Sequence, residues 1–178
     1  ARARLEAALS GDAELSEACL LRLAQVSDTH NLGLADACRE RLEKSMGSTP
    51  SLTYARAIEA HEAGDSEGGR KLLTAAAAAA GDSPEWRAAV AQYLEVIGAD
   101  DAPAAWARVS DAAPENAALQ QRVLASEAAW KDLGLIERVV ERLKAATGEN
   151  AVAWRVAKAR WLLQSDPSAK AAAEVVAQ

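Results

Sequence analysis

The segment Tyr54–Gly81, with the sequence YARAIEAHEAGDSEGGRKLLTAAAAAAG, decides the fold. It holds two stretches of helix-forming residues separated by Gly64 and Asp65, and it ends at a glycine. Because glycine commonly follows a helix and aspartate commonly caps the next one, the segment predicts two antiparallel helices joined by a tight turn. Residues 86–114 and 119–148 align with residues 53–81, which indicates a repeat of roughly 34 residues.

The composition favours helices throughout the chain. Alanine supplies about a quarter of the 178 residues and phenylalanine is absent. Alanine has the highest intrinsic helix propensity, whereas the β-branched and aromatic residues that favour strands are scarce. We therefore predict an all-α fold, a solenoid of about four to five antiparallel helical hairpins in which each hairpin contacts only its neighbours.

Clusters of glycine, aspartate and proline mark where the helices end and begin. All five prolines fall in or just after such clusters, where the first amides of a helix need no partner. The predicted helices span 2–9, 13–27, 31–45, 51–63, 66–80, 84–97, 102–112, 116–131, 133–146, 150–164 and 167–177. They form hairpins 13–46, 51–80, 84–112 and 116–146, and a last hairpin over 150–178. Helix 2–9 is expected to be the second helix of a preceding hairpin, so residues 1–178 should be a single solenoid segment excised from a longer protein.

The central hairpin resembles the tetratricopeptide repeat. Ala57 and Gly69 lie twelve residues apart, as the close-contact pair of that family does, and Leu73 and Ala76 fall at later core positions of the second helix. The last pair recurs, at spacings of 36 and then 34 residues, as Val109 with Ala112 and Leu143 with Ala146. The resemblance covers roughly residues 50–148 in motif. It implies a right-handed superhelix and a non-catalytic scaffold that binds a protein or peptide.

In the tetratricopeptide family the first helix of each hairpin lines a concave surface that contacts the partner. The resemblance implies that Tyr54, Ile58 and His61 belong to this surface, because their i, i+4 and i+7 spacing places them on one helix face. The matching positions in the next units are Arg87, Leu94, Gln121, Leu124 and Lys131. This mixture suits an extended peptide or a helix better than a small metabolite. The alternative is an ordinary solvated surface.

Two other functions stay open from the sequence. Similar repeat scaffolds occur in the envelope, in bacterial polysaccharide export or secretion systems, and others are docking or regulatory domains of larger enzymes. We expect a bacterial parent protein in the cytoplasm or the periplasm. The open ends of a solenoid would also permit self-association.

Cys19 and Cys38 are the only thiols and bear on the compartment. Each lies about nine or ten residues from a turn expected near Thr29, which places the two opposite one another on antiparallel helices. They are either two buried small apolar residues or a disulfide. A disulfide would require an oxidising compartment and would favour the envelope alternative.

Several classes of site are not expected. The net charge is −6 and no basic cluster occurs, so we expect no nucleic-acid partner. No apolar run reaches the length of a membrane span, so we expect no membrane insertion. His30 and His61 have no catalytic or ligating partner at a suitable spacing, and no phosphate loop or zinc motif is present, so we expect no enzyme activity, cofactor or metal. Most of the five tryptophans should be core anchors, although one or two could contact the partner.

Overall fold

A computed structural model describes residues 3, 6, 7, 9 and 15–166 of the chain. Within these residues the regular structure is helical and no strand occurs, which confirms the all-α prediction. The helices are α1 (Glu17–Thr29), α2 (Ala35–Met46), α3 (Pro50–Glu62), α4 (Ser66–Ala79), α5 (Pro84–Val96), α6 (Ala102–Ala112), α7 (Ala117–Leu124), a 3₁₀ turn (Ala129–Lys131), α8 (Leu133–Thr147) and α9 (Val152–Ser165). Predicted helix 167–177 and most of predicted helix 2–9 lie outside the described residues.

Side-chain caps mark several of the observed helix starts. The carboxylate of Asp65 accepts a hydrogen bond from the Gly68 amide at 2.8 Å, and that of Asp132 accepts one from the Leu135 amide at 3.0 Å. These caps satisfy first-turn amides that have no partner within the helix. Gly64, just before Asp65, has φ +90°, a conformation that favours glycine. The predicted turn at Gly64 and Asp65 is therefore confirmed.

The first hairpin is shorter than predicted. Helix α1 begins at Glu17 rather than at residue 13, because Ser16 is extended and its hydroxyl accepts a hydrogen bond from the Cys19 amide. Helix α2 begins at Ala35 rather than at residue 31. The intervening turn is held by the buried hydroxyl of Ser27, which accepts from the Leu34 amide at 2.8 Å.

The chain divides into two compact units, residues 1–56 and 57–178, with the boundary inside α3. In the first unit α1 packs on α2. One cluster there consists of Leu20, Leu42 and Leu52, and a second is built on Ala24, Ala35 and Cys38. Leucine and small side chains thus fill this unit.

In the second unit one continuous core runs from α5 to α9. Consecutive helices pack on one another from α4 to α9. Leu73, Val109 and Leu143 are completely buried, which confirms their predicted core positions. The alanines predicted to accompany them are not in the core: Ala76 is half-buried, and Ala112 and Ala146 are exposed. Each lies three residues beyond its core residue, on the edge of the buried face.

Predicted helix 116–131 is wrong as a continuous element. Helix α7 ends at Leu124, and the chain turns before the 3₁₀ turn at Ala129–Lys131. The backbone amide of Ala128 is hydrogen-bonded to the carboxylate of Glu95, 33 residues earlier. The Ala128 amide therefore bonds to a side chain of α5 instead of making the backbone hydrogen bond of a continuous helix, which the local sequence would favour.

Hydrogen bonds between side chains recur at nearly constant sequence separation. In the second unit the Arg70–Asp101 and Ser126–Glu95 pairs are 31 residues apart, and Arg142–Ser110 is 32 apart. Arg160 and Glu127 are 33 apart. In the first unit the Thr49 hydroxyl donates to Glu17, 32 residues earlier. Within each unit, side chains 31 to 33 residues apart in the sequence are therefore in contact.

Candidate interaction surfaces

The residues predicted to contact a partner differ in their exposure. Gln121 and Lys131 are exposed, while Tyr54, Ile58, His61, Arg87 and Leu124 are half-buried. Tyr54 belongs to the first unit and the others to the second. A half-buried or exposed side chain can still contact a partner.

Leu94 requires a correction. It is 2% exposed and lies in the core of the second unit, so it cannot line a binding surface. The alignment that assigned it to the surface is out of register, since α5 also buries Ala88 and Ala91 on the same side of the helix as Leu94. The three residues follow the i, i+3 spacing of a core-facing stripe.

Several of the remaining residues have fixed contacts. The His61 ring nitrogen Nδ1 lies 2.7 Å from the Ser66 hydroxyl. Arg87 forms an ion pair with Asp82 at 2.8 Å and donates from Nε to the Asp82 carbonyl. The backbone carbonyl of Leu124 accepts from the indole of Trp130. The His61 and Arg87 side chains are therefore oriented by their neighbours before any partner arrives.

A close contact between helices occurs at Gly69, and we call Ala57, Gly69 and Tyr93 the Gly69 contact. A Cβ at Gly69 would lie 2.6 Å from the carbonyl oxygen of Ala57 and would overlap the Tyr93 hydroxyl. Ala57 is completely buried, and the Tyr93 hydroxyl donates to the Ser66 carbonyl at 2.7 Å. The predicted role of Gly69 in helix packing is confirmed, because only a residue without a side chain fits there.

Glu95 lies on the same helix as Tyr93 and accepts the hydrogen bonds of a second contact between elements. We call Glu95, Trp106, Ser126 and Ala128 the Glu95 cluster. The Glu95 carboxylate accepts from the Ser126 hydroxyl at 2.7 Å, the Trp106 indole at 2.9 Å and the Ala128 amide at 3.0 Å. Burial raises the pKa of the Glu95 carboxyl, but the hydrogen bonds outweigh burial and hold the pKa below its usual value. Glu95 is therefore ionised and ties α5, α6 and the turn after α7 together.

A second polar network lies between α6, α7 and α8. Ser110 and Gln120 are both completely buried, and the Ser110 hydroxyl donates to the Gln120 side chain at 2.7 Å. The Gln120 amide donates to the carbonyls of Ser110 and Ala113. Arg142 donates to the Ser110 hydroxyl at 2.7 Å and forms an ion pair with Asp111 at 2.8 Å. The partners are all within the network, so it is a structural element rather than an open site.

A groove with a volume of about 320 Å³ opens between α4, α5 and α6. Buried Ala77 and Ala105 contribute to its lining, together with half-buried Val90 and exposed Ala78. The rest of the lining consists of Thr74, Asp82, Arg87 and Arg108. The groove therefore combines small apolar side chains with two guanidinium groups. Arg87 was predicted to line a binding surface, whereas neither Arg108 nor the groove was predicted from the sequence.

The tryptophans are mostly core anchors, as predicted. Trp86, Trp106, Trp130 and Trp154 are buried, and Trp161 is half-buried against the same core as Trp154. Cations lie over the faces of the three later rings, with the Arg160 guanidinium 3.9 Å from the Trp130 centroid and the Lys158 ammonium 4.0 Å from that of Trp161. Arg160 is in turn held by Glu127 at 2.9 Å. The outward faces of these rings are thus occupied by side chains of the chain itself.

Both cysteines are free thiols, with Cys38 buried and Cys19 half-buried. Burial raises the pKa of the Cys38 thiol, and the neighbouring Arg39 guanidinium partly opposes this. Cys19 is close enough to contribute to the increase in the pKa, as expected for opposite positions on two packed helices. The two thiols are not joined in a disulfide, and the predicted burial is met by Cys38 but not by half-buried Cys19.

No family model, functionally described protein or solved structure matches this chain. Over residues 15–166 and the four described earlier ones, no group of histidine, cysteine and acidic residues has the arrangement of a metal site. No helix in the same part of the chain has both the length and the apolar character of a membrane span.

Proposed function

We propose that the hairpins of this chain stack as a right-handed, tetratricopeptide-like solenoid and that the segment is a non-catalytic scaffold for a protein or peptide partner. The observation that supports the stacking is the recurrence of side-chain hydrogen bonds 31 to 33 residues apart. Such contacts are expected when each hairpin repeats the position of the one before it.

The binding role follows from how such a stack uses its surfaces. Each hairpin packs one side against the preceding hairpin and one against the following hairpin. Its other faces stay free and align with those of its neighbours into extended surfaces. Arg87, Gln121 and Lys131 remain accessible in the second unit. They offer a guanidinium, an amide and an ammonium, groups that can bind the backbone and acidic side chains of a peptide.

The binding role is tested by selection of the immobilised chain against a random dodecapeptide display library. We expect a family of related peptides that bind the purified chain, and we expect the Gln121→Ala, Lys131→Ala double variant to bind them more weakly. Both side chains are exposed, so the variant should fold normally. Recovery of no related peptides after repeated rounds would contradict the proposed function.

A further inference from the structure

We propose that the groove between α4, α5 and α6 binds a peptide in which a glutamate or aspartate adjoins a leucine-sized aliphatic residue, with Arg108 taking the carboxylate. The inference rests on the proposed function and adds the chemistry of the partner. Two observations support it, namely that Arg108 has no hydrogen-bond or ion-pair partner within residues 15–166 and that part of the groove lining is apolar.

Arg108 differs from the other arginines of the described chain. Among the arginines within residues 15–166, the other eleven each donate at least one hydrogen bond to another residue. Arg108 has neither a hydrogen bond nor an ion pair in that part of the chain. Asp111, three residues later on the same helix, would be its natural partner but pairs with Arg142 at 2.8 Å.

The local charge favours an anionic ligand even though the whole chain has a net charge of −6. The carboxylate of Asp82 in the groove is already paired with Arg87. The uncompensated charge at the groove is therefore the guanidinium of Arg108, whose planar group matches a carboxylate in a two-bond arrangement.

The size and lining of the groove indicate which residue adjoins the acidic residue in the peptide. A volume of about 320 Å³ is at the lower end for small-molecule pockets and suits one or two side chains rather than a folded element. Ala77, Ala78, Val90 and Ala105 offer apolar contact without a deep polar group. An aliphatic side chain beside the carboxylate would bury its surface against these residues.

The experiment uses four fluorescein-labelled decapeptides with an alanine and glycine background and a central Glu-Leu, Gln-Leu, Glu-Ser or Lys-Leu. Their binding to the whole chain is measured by fluorescence polarisation. We expect Glu-Leu to bind at least about fivefold more tightly than Gln-Leu and Glu-Ser, with Lys-Leu the weakest. A fivefold difference corresponds to about 1 kcal/mol, a lower bound for the loss of one charge-assisted contact or of one buried aliphatic side chain.

Two pairs of variants locate the binding. Arg108→Gln should remove the preference for Glu-Leu over Gln-Leu, whereas Arg138→Gln should preserve it, because Arg138 is exposed on α8 and bonds to its own helix. Ala78→Asp should abolish Glu-Leu binding, whereas Ala75→Asp should not, since both are exposed on α4 but only Ala78 lines the groove. Circular dichroism verifies that each variant is folded.

The outcomes separate the two proposals. Equal binding of Glu-Leu and Gln-Leu, or a preference that survives Arg108→Gln, overturns this inference alone. Absence of binding by all four peptides also overturns it, while enriched peptides from the display selection would leave the scaffold function standing. If that selection yields nothing as well, both proposals fail.

Discussion

The Gly69 contact and the Glu95 cluster are built from residues two positions apart on α5, yet they hold the chain in different ways. Tyr93 donates to Ser66, 27 residues earlier, while Glu95 accepts from Ser126, 31 residues later. At Gly69 the helices approach because a side chain is missing. At Glu95 an ionised group organises donors from two other elements. The Gly69 contact depends on free space and the Glu95 cluster depends on charge, so the two should respond to different kinds of substitution.

The largest effect should come from filling the space at Gly69. We expect Gly69→Leu to lower the free energy of unfolding by about 3 kcal/mol or more, because the side chain would collide with the Ala57 backbone and with Tyr93. Chemical denaturation of the variant and the parent measures this difference.

Gly68→Ala is the matched control for the Gly69 contact. A Cβ there meets only the flexible side chain of Asp65, so we expect a change of about 1 kcal/mol or less, the value of one N-cap. Equal destabilisation by the two substitutions would show that the close approach at Gly69 has no specific effect, because both replacements improve helix propensity and cannot destabilise the chain through it.

The Glu95 cluster should be next in size. Glu95→Gln keeps the shape but removes the charge and presents an amide to at least some of the donors, so we expect a loss of about 2 kcal/mol in the free energy of unfolding. Glu137→Gln, at an exposed position of α8, should change it by less than about 0.5 kcal/mol. A neutral result for Glu95→Gln in urea denaturation would refute the charge-based role.

The same pair of proteins gives a pH dependence of known sign. The pKa of Glu95 is lowered on folding from its ordinary value of 4.5, so the group stabilises the fold above that pH and loses this contribution as the pH falls through the folded-state pKa. The stability difference between the parent and Glu95→Gln should be largest at neutral pH and shrink in acid. A difference that grows below pH 4.5 would mean that the carboxyl is protonated in the folded chain.

The smallest effect should come from Lys131→Ala. Lys131 is exposed in the 3₁₀ turn that follows the Glu95 cluster, and we expect its removal to change the free energy of unfolding by less than about 0.5 kcal/mol. A larger loss would show that the turn depends on Lys131 as well as on Glu95.

The two contacts also differ in how far the sequence predicts them. Gly69 could be predicted, because a glycine inside a helical segment, twelve residues after Ala57, indicates a close approach within one hairpin. The Glu95 cluster could not, since its donors lie up to 33 residues away and end a helix whose local sequence continues. Arg108 was missed for a related reason: Asp111 is its apparent partner in the sequence, but a residue of α8 takes that partner in the fold.

The surface positions were the least predictable part. Leu94 was placed on the binding surface by alignment with a looser unit, and a small register error moves a helical residue from the surface to the core. The exposure of Gln121 and Lys131 could be predicted from their polarity alone. The binding experiments test whether a partner contacts them.

The most direct test of contacts one repeat apart is a double-mutant cycle of Glu95→Ala and Ser126→Ala, because each substitution removes one partner of the bond. The two side chains are 31 residues apart and joined by a 2.7 Å hydrogen bond. We predict a coupling of about 1 kcal/mol or more in the free energy of unfolding, the range for residues in one network. Strictly additive effects would mean that this bond contributes nothing to stability and would contradict the claim that contacts one repeat apart hold the hairpins together.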